Sequence, residues 1–223
     1  QIVASRWLKP IETDYDESGY WKLDESDGFF ATDSSGNGYN GTLYVEDPIL
    51  SWVSGRFGNA VSLDGIDDWI DLPDEAFYGP EGTVSLWFKT GSSWPQEEEA
   101  FLFSTNSAAR IYIKVTSSGL LRASISDNNW FFGDTQLSLN KWYHAVLVWR
   151  RNSTAEFFVN GQSVGTSSGF SEMQYVPSAG LGSYKEGSRL FWNGLIDEVS
   201  VFRIALNDTA ILSLARRNFF PLL

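Results

Sequence analysis

Carboxylates are concentrated in two parts of the sequence. Asp33 opens a segment rich in glycine and asparagine that ends at Thr42, and a second stretch carries five aspartates: Asp64, Asp67, Asp68, Asp71 and Asp74. Calcium takes roughly six to eight oxygen ligands, and the first segment could point several carbonyl oxygens inward beside its carboxylate. The alternative is that Asp33 and Asn37 only stabilise an Asx-type turn. The second stretch lacks EF-hand spacing, so we interpret it as a solvated turn and strand edge.

Another group of residues is suited to sugar recognition. Sugars stack their C–H faces on aromatic rings, while carboxylates and amides bind their hydroxyl groups. Trp94 lies in a Ser-Ser-Trp-Pro segment, and Trp130 follows three polar residues, Asp127, Asn128 and Asn129. Both indoles are therefore expected in loops or at loop edges, and we predict that these five residues bind a ligand. The alternative for Trp130 is that it caps the edge of a sheet.

The sequence gives little support to catalysis. His144 is the sole histidine and lies in an apolar segment. This position favours a structural role for its imidazole over a catalytic role in a Ser-His-Asp triad. A retaining glycosidase needs two carboxyl groups about 5 Å apart. The stretch from Asp64 to Asp74 lacks a Glu-x-Asp-x-x-Glu pattern, and the contiguous Glu97, Glu98 and Glu99 would splay apart. We therefore expect a binding protein and not an enzyme.

Composition narrows the class of protein further. The chain has 223 residues, 43% of them hydrophobic and 16% aromatic, which is enough to bury a large core. Residues 1–100 contain 20 acidic and 5 basic residues (net −15), whereas residues 101–223 contain 8 and 11 (net +3). This balance disfavours nucleic acid and anionic membranes as partners. The chain has no cysteine, and we expect no membrane-inserted segment because no apolar run approaches the roughly 18 residues of a span.

The elements that would position these residues are predicted to be short strands. Alternating or short apolar runs recur about every ten residues: Ala60–Leu63, Trp69–Leu72, Thr83–Lys89, Ala100–Ser104, Arg110–Thr116, Leu120–Ser126, Trp142–Arg150, Glu156–Val159, Gln162–Thr166, Ala179–Leu181 and Leu195–Arg203. Turn signals separate them, and Asn160-Gly161 is a strong hairpin signal because both residues tolerate positive φ. Asn207 and Asp208 could cap one helix over Ala210–Arg217. Regular strands with one late helix indicate a sandwich or barrel.

Six blocks, spread in order from about residue 20 to 215, resemble laminin-G-like jelly rolls of the concanavalin A-like lectin/glucanase type. They are Trp21–Glu25 with Asp33–Leu43, Gly55–Gly65, Gly82–Lys89, Trp142–Val146, Phe158–Gly161, and Gly194–Phe202 with Ala205-Leu206. The resemblance implies an all-β, two-sheet antiparallel jelly-roll sandwich with one short C-terminal helix. We predict a domain over residues 20–217, an N-terminal extension over 1–19 and an apolar tail over 218–223.

The resemblance also implies a role and a cofactor. It implies an extracellular or cell-surface domain that binds a glycan or a cell-surface protein, as a carbohydrate-binding module or adhesin. It implies one structural calcium ion, with Asp33 and Asp197 as ligands and Glu25 and Asn37 as further candidates. The alternative function is a structural subunit of a cell-surface or filamentous assembly, a homo-oligomer held through its termini.

Three Asn-x-Ser/Thr sequons complete the set of candidate sites. Asn152 lies in a predicted turn and is the most accessible acceptor for an N-linked glycan. Asn40 and Asn207 are the other two acceptors. For Asn40 the alternative is a role in its own turn, and for Asn207 it is the cap of the helix.

Overall fold

The structure is a computed structural model that describes residues 17–95, 99–105, 111–125, 131–151, 154–169, 179–184 and 187–216. Sixteen strands in these ranges form two sheets. The predicted apolar tail, residues 218–223, lies outside the described residues, so its role in assembly stays a prediction. Neither helix in the described ranges has the length and hydrophobicity that crossing a membrane requires.

The strands divide equally between the sheets. Sheet 1 contains β1 (Glu17–Trp21), β4 (Trp52–Ser54), β5 (Asn59–Asp64), β7 (Gly82–Thr90), β12 (Trp142–Arg150), β13 (Thr154–Val159), β14 (Gln162–Ser168) and β16 (Asn193–Phe202). Sheet 2 contains β2 (Phe30–Ala31), β3 (Gly41–Tyr44), β6 (Trp69–Leu72), β8 (Glu99–Thr105), β9 (Ile111–Thr116), β10 (Leu120–Ile125), β11 (Phe131–Gln136) and β15 (Ala179–Leu181). The order in sheet 1 is β14-β13-β12-β7-β16-β5-β4, with β1 also paired to β16, and in sheet 2 it is β11-β10-β9-β8-β15-β6-β3-β2.

The core lies between the two sheets because side chains alternate along each strand. On β12, Ala145 and Leu147 point into this core, whereas Val146 and Val148 point to the outer face of sheet 1. Large rings such as Trp21, Trp149 and Trp192 fill the core. The all-β, two-sheet antiparallel sandwich that we predicted is confirmed.

Two short α-helices accompany the sheets in the described ranges. α1 (Pro48–Ser51) is a single turn that Asp47 caps, and α2 (Asp208–Ala215) is the predicted C-terminal helix. The side chain of Asn207 caps α2 by accepting a hydrogen bond from the backbone N–H of Ala210. Leu206, Ile211 and Leu214 pack on the outer face of sheet 1. Helix packing therefore covers part of the outer face of sheet 1.

Each of the eleven predicted apolar runs overlaps a strand of the structure. β6, β12 and β15 have the predicted bounds, and the Asn160-Gly161 hairpin has positive φ at both residues (52° and 78°). Five strands, β1 to β4 and β11, were not predicted, and they are short or rich in polar residues and glycine. β1 starts at Glu17 and includes three residues of the predicted N-terminal extension. Trp142, at the start of β12, is half-buried.

Candidate functional site

Two aromatic rings stack on the outer face of sheet 2. Leu43 on β3 and Ile70 on β6 point into the core, so their neighbours Tyr44 and Trp69 point outward. Tyr44 pairs directly with Trp69 across the two strands, and their ring centroids lie 4.6 Å apart with an interplanar angle of 7°. We call this pair the aromatic face.

Gly187 makes room for the indole of Trp69, and Gly180 lies beside it. A Cβ atom at Gly187 would lie 2.3 Å from Nε1 of Trp69, and Gly187 has a φ of +71° that side-chain-bearing residues rarely adopt. A Cβ at Gly180, on the adjoining strand β15, would lie 3.5 Å from the same ring. The absence of a side chain at Gly187 therefore leaves the space that the indole of Trp69 occupies.

A groove of about 640 Å³ opens beside the aromatic face. Its lining includes Phe29, Tyr44 and Trp69 together with the carboxylates of Glu46 and Asp67. Phe29 and Tyr44 are each 47% exposed, and exposed apolar side chains that lie together can mark an interaction site. The volume lies within the range of about 300–1,000 Å³ that small-molecule sites occupy. We call this the first groove.

The turn between β5 and β6 places three carboxylates together. Carboxylate oxygens of Asp64, Asp67 and Asp68 all lie within 4.8 Å of one another, the one such group of three acidic, histidine or cysteine side chains in the part of the chain that the structure describes. Asp64 Oδ1 accepts hydrogen bonds from the backbone N–H groups of Ile66 and Asp67, and Asp68 Oδ2 accepts one from that of Asp64. We call residues 64–68 the acidic turn.

Asp68 corrects the expectation that this whole stretch is solvated. Asp64 and Asp67 are exposed, but Asp68 is only 7% exposed. Burial is the largest of several causes that together raise the pKa of Asp68 to about 6. The negative charges of Asp64, Asp67 and Glu46 act in the same direction, and one backbone hydrogen bond opposes them. The acidic turn and Glu46 therefore place several carboxylates close together beside the first groove.

A second groove, of about 430 Å³, is also bordered by the acidic turn. Asp64 and Ile66 of the turn line it, together with Trp94, Arg189, Phe191 and Asn193. The indole of Trp94 rests on the turn between β9 and β10, where a Cβ at Gly119 would lie 2.6 Å from the ring. This groove contains Trp94 as the one predicted sugar-binding residue that the structure describes.

The other predicted sugar-binding residues, Asp127, Asn128, Asn129 and Trp130, lie outside the described residues. The aromatic face was not predicted, although one signal was present in the sequence. Trp69 precedes the core residue Ile70 in a strand of period two, which places the indole outside the core. Its partner Tyr44 could not be found in this way, because the pairing of β3 with β6 is a tertiary contact.

The hydrogen bonds of Asp33 and Asn37 are those expected if the two residues stabilise an Asx-type turn. The carboxylate of Asp33 accepts from the backbone N–H groups of Tyr20, Ser35 and Tyr39 and from the Ser35 hydroxyl. Burial raises the pKa of Asp33, but these hydrogen bonds outweigh burial and hold the pKa below its usual value. The side-chain amide of Asn37 donates to the backbone oxygens of Glu17 and Ser18. Metal binding by Asp33 and Asn37 stays a prediction.

Asp197 and Glu25 each keep one buried carboxylate oxygen without a hydrogen bond. Asp197 is fully buried on β16, and its Oδ2 accepts from the backbone N–H groups of Arg56 and Phe57. Burial raises the pKa of Asp197 to about 7, opposed by these two hydrogen bonds and assisted by the charges of Glu198 and Asp24. Glu25 Oε1 accepts from the backbone N–H of Thr32, which leaves Oε2 as its orphaned oxygen.

One loop connects the surroundings of these two carboxylates. Its first part donates to Asp197 through Arg56 and Phe57, and Asn59 at its end donates through Nδ2 to the backbone oxygen of Glu25. A Cβ at Gly55 would lie 2.7 Å from Asp197 Oδ2, so the backbone approaches the carboxylate closely. Buried, negatively charged oxygens without donors are what a hard cation requires.

The remaining candidate residues have structural contacts. His144 is 1% exposed, and its Nε2 lies 2.8 Å from the Ser85 hydroxyl. Asn40 Oδ1 accepts from the backbone N–H of Asp33, and Asn207 caps α2, as the alternative for each residue predicted. Asn152 lies outside the described residues, and glycosylation at the three sequons stays a prediction.

Comparison with known proteins adds family and fold. Residues 64–212, which are 149 of the 223 residues, match the family model described as the concanavalin A-like lectin/glucanases superfamily. No curated protein matches the sequence significantly.

Solved structures with a similar fold come from several organisms. Domain 4 of AbnA, an extracellular GH43 arabinanase from Geobacillus stearothermophilus in complex with arabinotriose, has a TM-score of 0.71 and 21% identity over 91% of this chain and 99% of that domain. Trypanosoma rangeli sialidase in complex with sialic acid has a TM-score of 0.69 and 13% identity over 88% of this chain and 32% of the sialidase. The botulinum neurotoxin serotype D binding domain has a TM-score of 0.68 and 13% identity, covering 90% of this chain and 51% of that domain. At such identities the similarity shows the fold alone.

Proposed function

We propose that this chain, which belongs to the concanavalin A-like lectin/glucanase superfamily, binds a neutral carbohydrate through the first groove. The observation that carries the proposal is the stacked pair of Tyr44 and Trp69 on the outer face of sheet 2, with an exposed Phe29 beside it. Aromatic rings receive the C–H faces of a sugar, and the carboxylates of Glu46 and Asp67 accept hydrogen bonds from its hydroxyl groups.

The charge around the first groove favours an uncharged sugar over an acidic one. None of the carboxylates of Glu46, Asp64, Asp67 and Asp68 forms a salt bridge with a described Lys or Arg side chain. An acidic sugar would therefore meet uncompensated like charge, which costs binding free energy. The arabinotriose in the complex of the arabinanase domain is a neutral sugar, whereas the sialic acid in the sialidase complex is acidic.

We further propose that the chain binds and does not catalyse, at the cell surface or outside the cell, as a carbohydrate-binding module or adhesin. The first groove supports a binding role because it combines an aromatic platform with hydrogen-bond acceptors, the equipment of a sugar-binding site. The similar arabinanase domain comes from an extracellular enzyme. Its partner would be a glycan, free or on a cell-surface protein.

A structural calcium ion is part of the proposal, with Asp197 and Glu25 as its carboxylate ligands. Each has a buried oxygen without a donor, and calcium would satisfy these oxygens and remove the cost of the buried charge. The chemistry that calcium supplies here is charge compensation. The chain's own contribution is to hold the loop of residues 55–59 against Asp197, which two backbone N–H groups already orient. Metal binding by Asp33 and Asn37 is not part of this proposal, because the hydrogen bonds of both side chains serve their turn.

Glycan binding tests the function directly. The whole chain is applied to an array that carries neutral and sialylated glycans, and its affinity for the bound glycans is measured by calorimetry. We expect binding to neutral glycans and a loss of about tenfold or more in Tyr44→Ala and in Trp69→Ala, since tenfold corresponds to about 1.4 kcal/mol. Tyr78→Ala is the matched control, because Tyr78 is 37% exposed and does not line the groove. Equal binding by all three variants, or a preference for sialylated glycans, would refute the proposal.

A further inference from the structure

We propose that the second groove is a further subsite for the same ligand, so that the ligand is an oligosaccharide lying across the acidic turn. This inference rests on the proposed function of the first groove and extends it from one sugar unit to a chain. It assigns a binding role to Trp94, Ile66 and Arg189, which have no part in the first groove.

The two grooves meet at the acidic turn. Asp67 lines the first groove and Asp64 lines the second, and their carboxylate oxygens lie within 4.8 Å of each other. A ligand that leaves the first groove over this turn therefore enters the second groove directly. The backbone between the grooves is short, because β5 ends at Asp64 and β6 starts at Trp69.

The acidic turn is a fixed ridge between the grooves. Asp64 Oδ1 accepts from two backbone N–H groups of the turn, and its backbone oxygen accepts a hydrogen bond from Asn193 Nδ2 at 2.8 Å. A Cβ at Gly65 would lie 2.8 Å from Cβ of Asn193, so the turn packs closely on the start of β16. Ile66 is 72% exposed at its tip, where a crossing ligand would cover it.

The second groove has the chemistry of a sugar subsite. Trp94 and Phe191 supply apolar ring surface, whereas Arg189 and Asn193 are exposed polar side chains that can meet hydroxyl groups. Glu99 also lines the groove, but it forms an ion pair with Lys114. The second groove thus combines aromatic rings with hydrogen-bond donors and acceptors, which fits an uncharged oligosaccharide rich in hydroxyl groups.

The proposal predicts that affinity rises with chain length and that the second groove supplies this rise. We would measure the affinity of the whole chain by calorimetry for arabino-, xylo-, manno- and gluco-oligosaccharides of two and six units. For the series that binds, the hexamer is expected to bind about tenfold or more tightly than the dimer. In Trp94→Ala and in Ile66→Ala this ratio should fall by about fivefold or more, with dimer affinity unchanged within about twofold.

Two controls keep the test decisive. Trp94 packs partly against the core, so each variant is first checked for an unchanged circular dichroism spectrum and melting temperature. Ile66 is exposed and carries the test if Trp94→Ala is unstable. Its matched control is Ile49→Ala, because Ile49 is 62% exposed and lines neither groove. A hexamer that binds no better than the dimer, or a ratio unchanged in Ile66→Ala, would overturn the second subsite alone. If the chain binds none of the four series, the proposed function is overturned and the second subsite with it.

Discussion

Replacing Asp197 by Asn should stabilise the calcium-free protein at alkaline pH. The pKa of Asp197 is raised from 3.8 to about 7 in the folded chain, mainly by burial. The folded state therefore holds this proton more tightly than the unfolded state, and the free energy of unfolding falls as pH rises from about 4 to 7. A shift of about three units corresponds to a loss of about 4 kcal/mol, fully present above pH 7.

The Asp197→Asn substitution removes this charge but leaves one buried group unpaired. The amide oxygen can still accept from the backbone N–H groups of Arg56 and Phe57, while the amide nitrogen takes the position of the orphaned oxygen. An unpaired buried amide costs about 1–3 kcal/mol. At pH 8 we therefore expect Asp197→Asn to be more stable than the natural chain by about 1–3 kcal/mol in the presence of a chelator.

Urea denaturation in a chelator at pH 4, 6 and 8 measures the effect. The stability difference between Asp197→Asn and the natural chain should change by several kcal/mol over this range, which isolates Asp197 from other titrating groups. Asp27→Asn is the matched control, because Asp27 is exposed. Added calcium should stabilise the natural chain, by about 2.7 kcal/mol at a hundredfold excess over Kd, and leave Asp197→Asn unaffected. If the stability difference between the two chains does not change with pH, the raised pKa of Asp197 is refuted. If calcium stabilises both chains equally, Asp197 is not a ligand of the ion.

Three smaller changes test other parts of the fold. Asp68→Asn should stabilise the chain above pH 6 and not below pH 4, because burial raises the pKa of Asp68 to about 6; urea denaturation at pH 4 and 8 would show this, and a constant difference would contradict it. Asn207→Ala should lower the free energy of unfolding by about 1 kcal/mol through loss of the cap of α2, and an unchanged value would show that the cap contributes nothing. Gly187→Ala should weaken glycan binding because its Cβ would displace the Trp69 indole, whereas the control Gly36→Ala has a similar positive φ but open space around its Cβ; equal binding by both would refute this role of Gly187.

The fold class could be predicted from the sequence alone, because hydrophobic periodicity and turn residues are local properties of the chain. The almost continuous apolar run Trp142–Arg150 is typical of a strand buried on both faces, and Asn160-Gly161 indicates a hairpin because both residues tolerate positive φ. Six ordered blocks then identified the jelly roll. The short strands β2 and β4 carry too few residues for a periodic signal, so they could be recognised only within the sheets.

The candidate site depends on tertiary contacts. Tyr44 and Trp69 are 25 positions apart and become a stacked pair only because β3 lies beside β6 in sheet 2. Asp68 resembles its exposed neighbours in the sequence but is buried. Asp197 is a buried carboxylate whose Oδ2 is paired by a loop more than a hundred residues away, while its Oδ1 lacks a donor. A residue's type states what chemistry it can do. Its exposure, its partners and its pKa depend on contacts between distant segments of the chain. Only the folded structure contains these contacts.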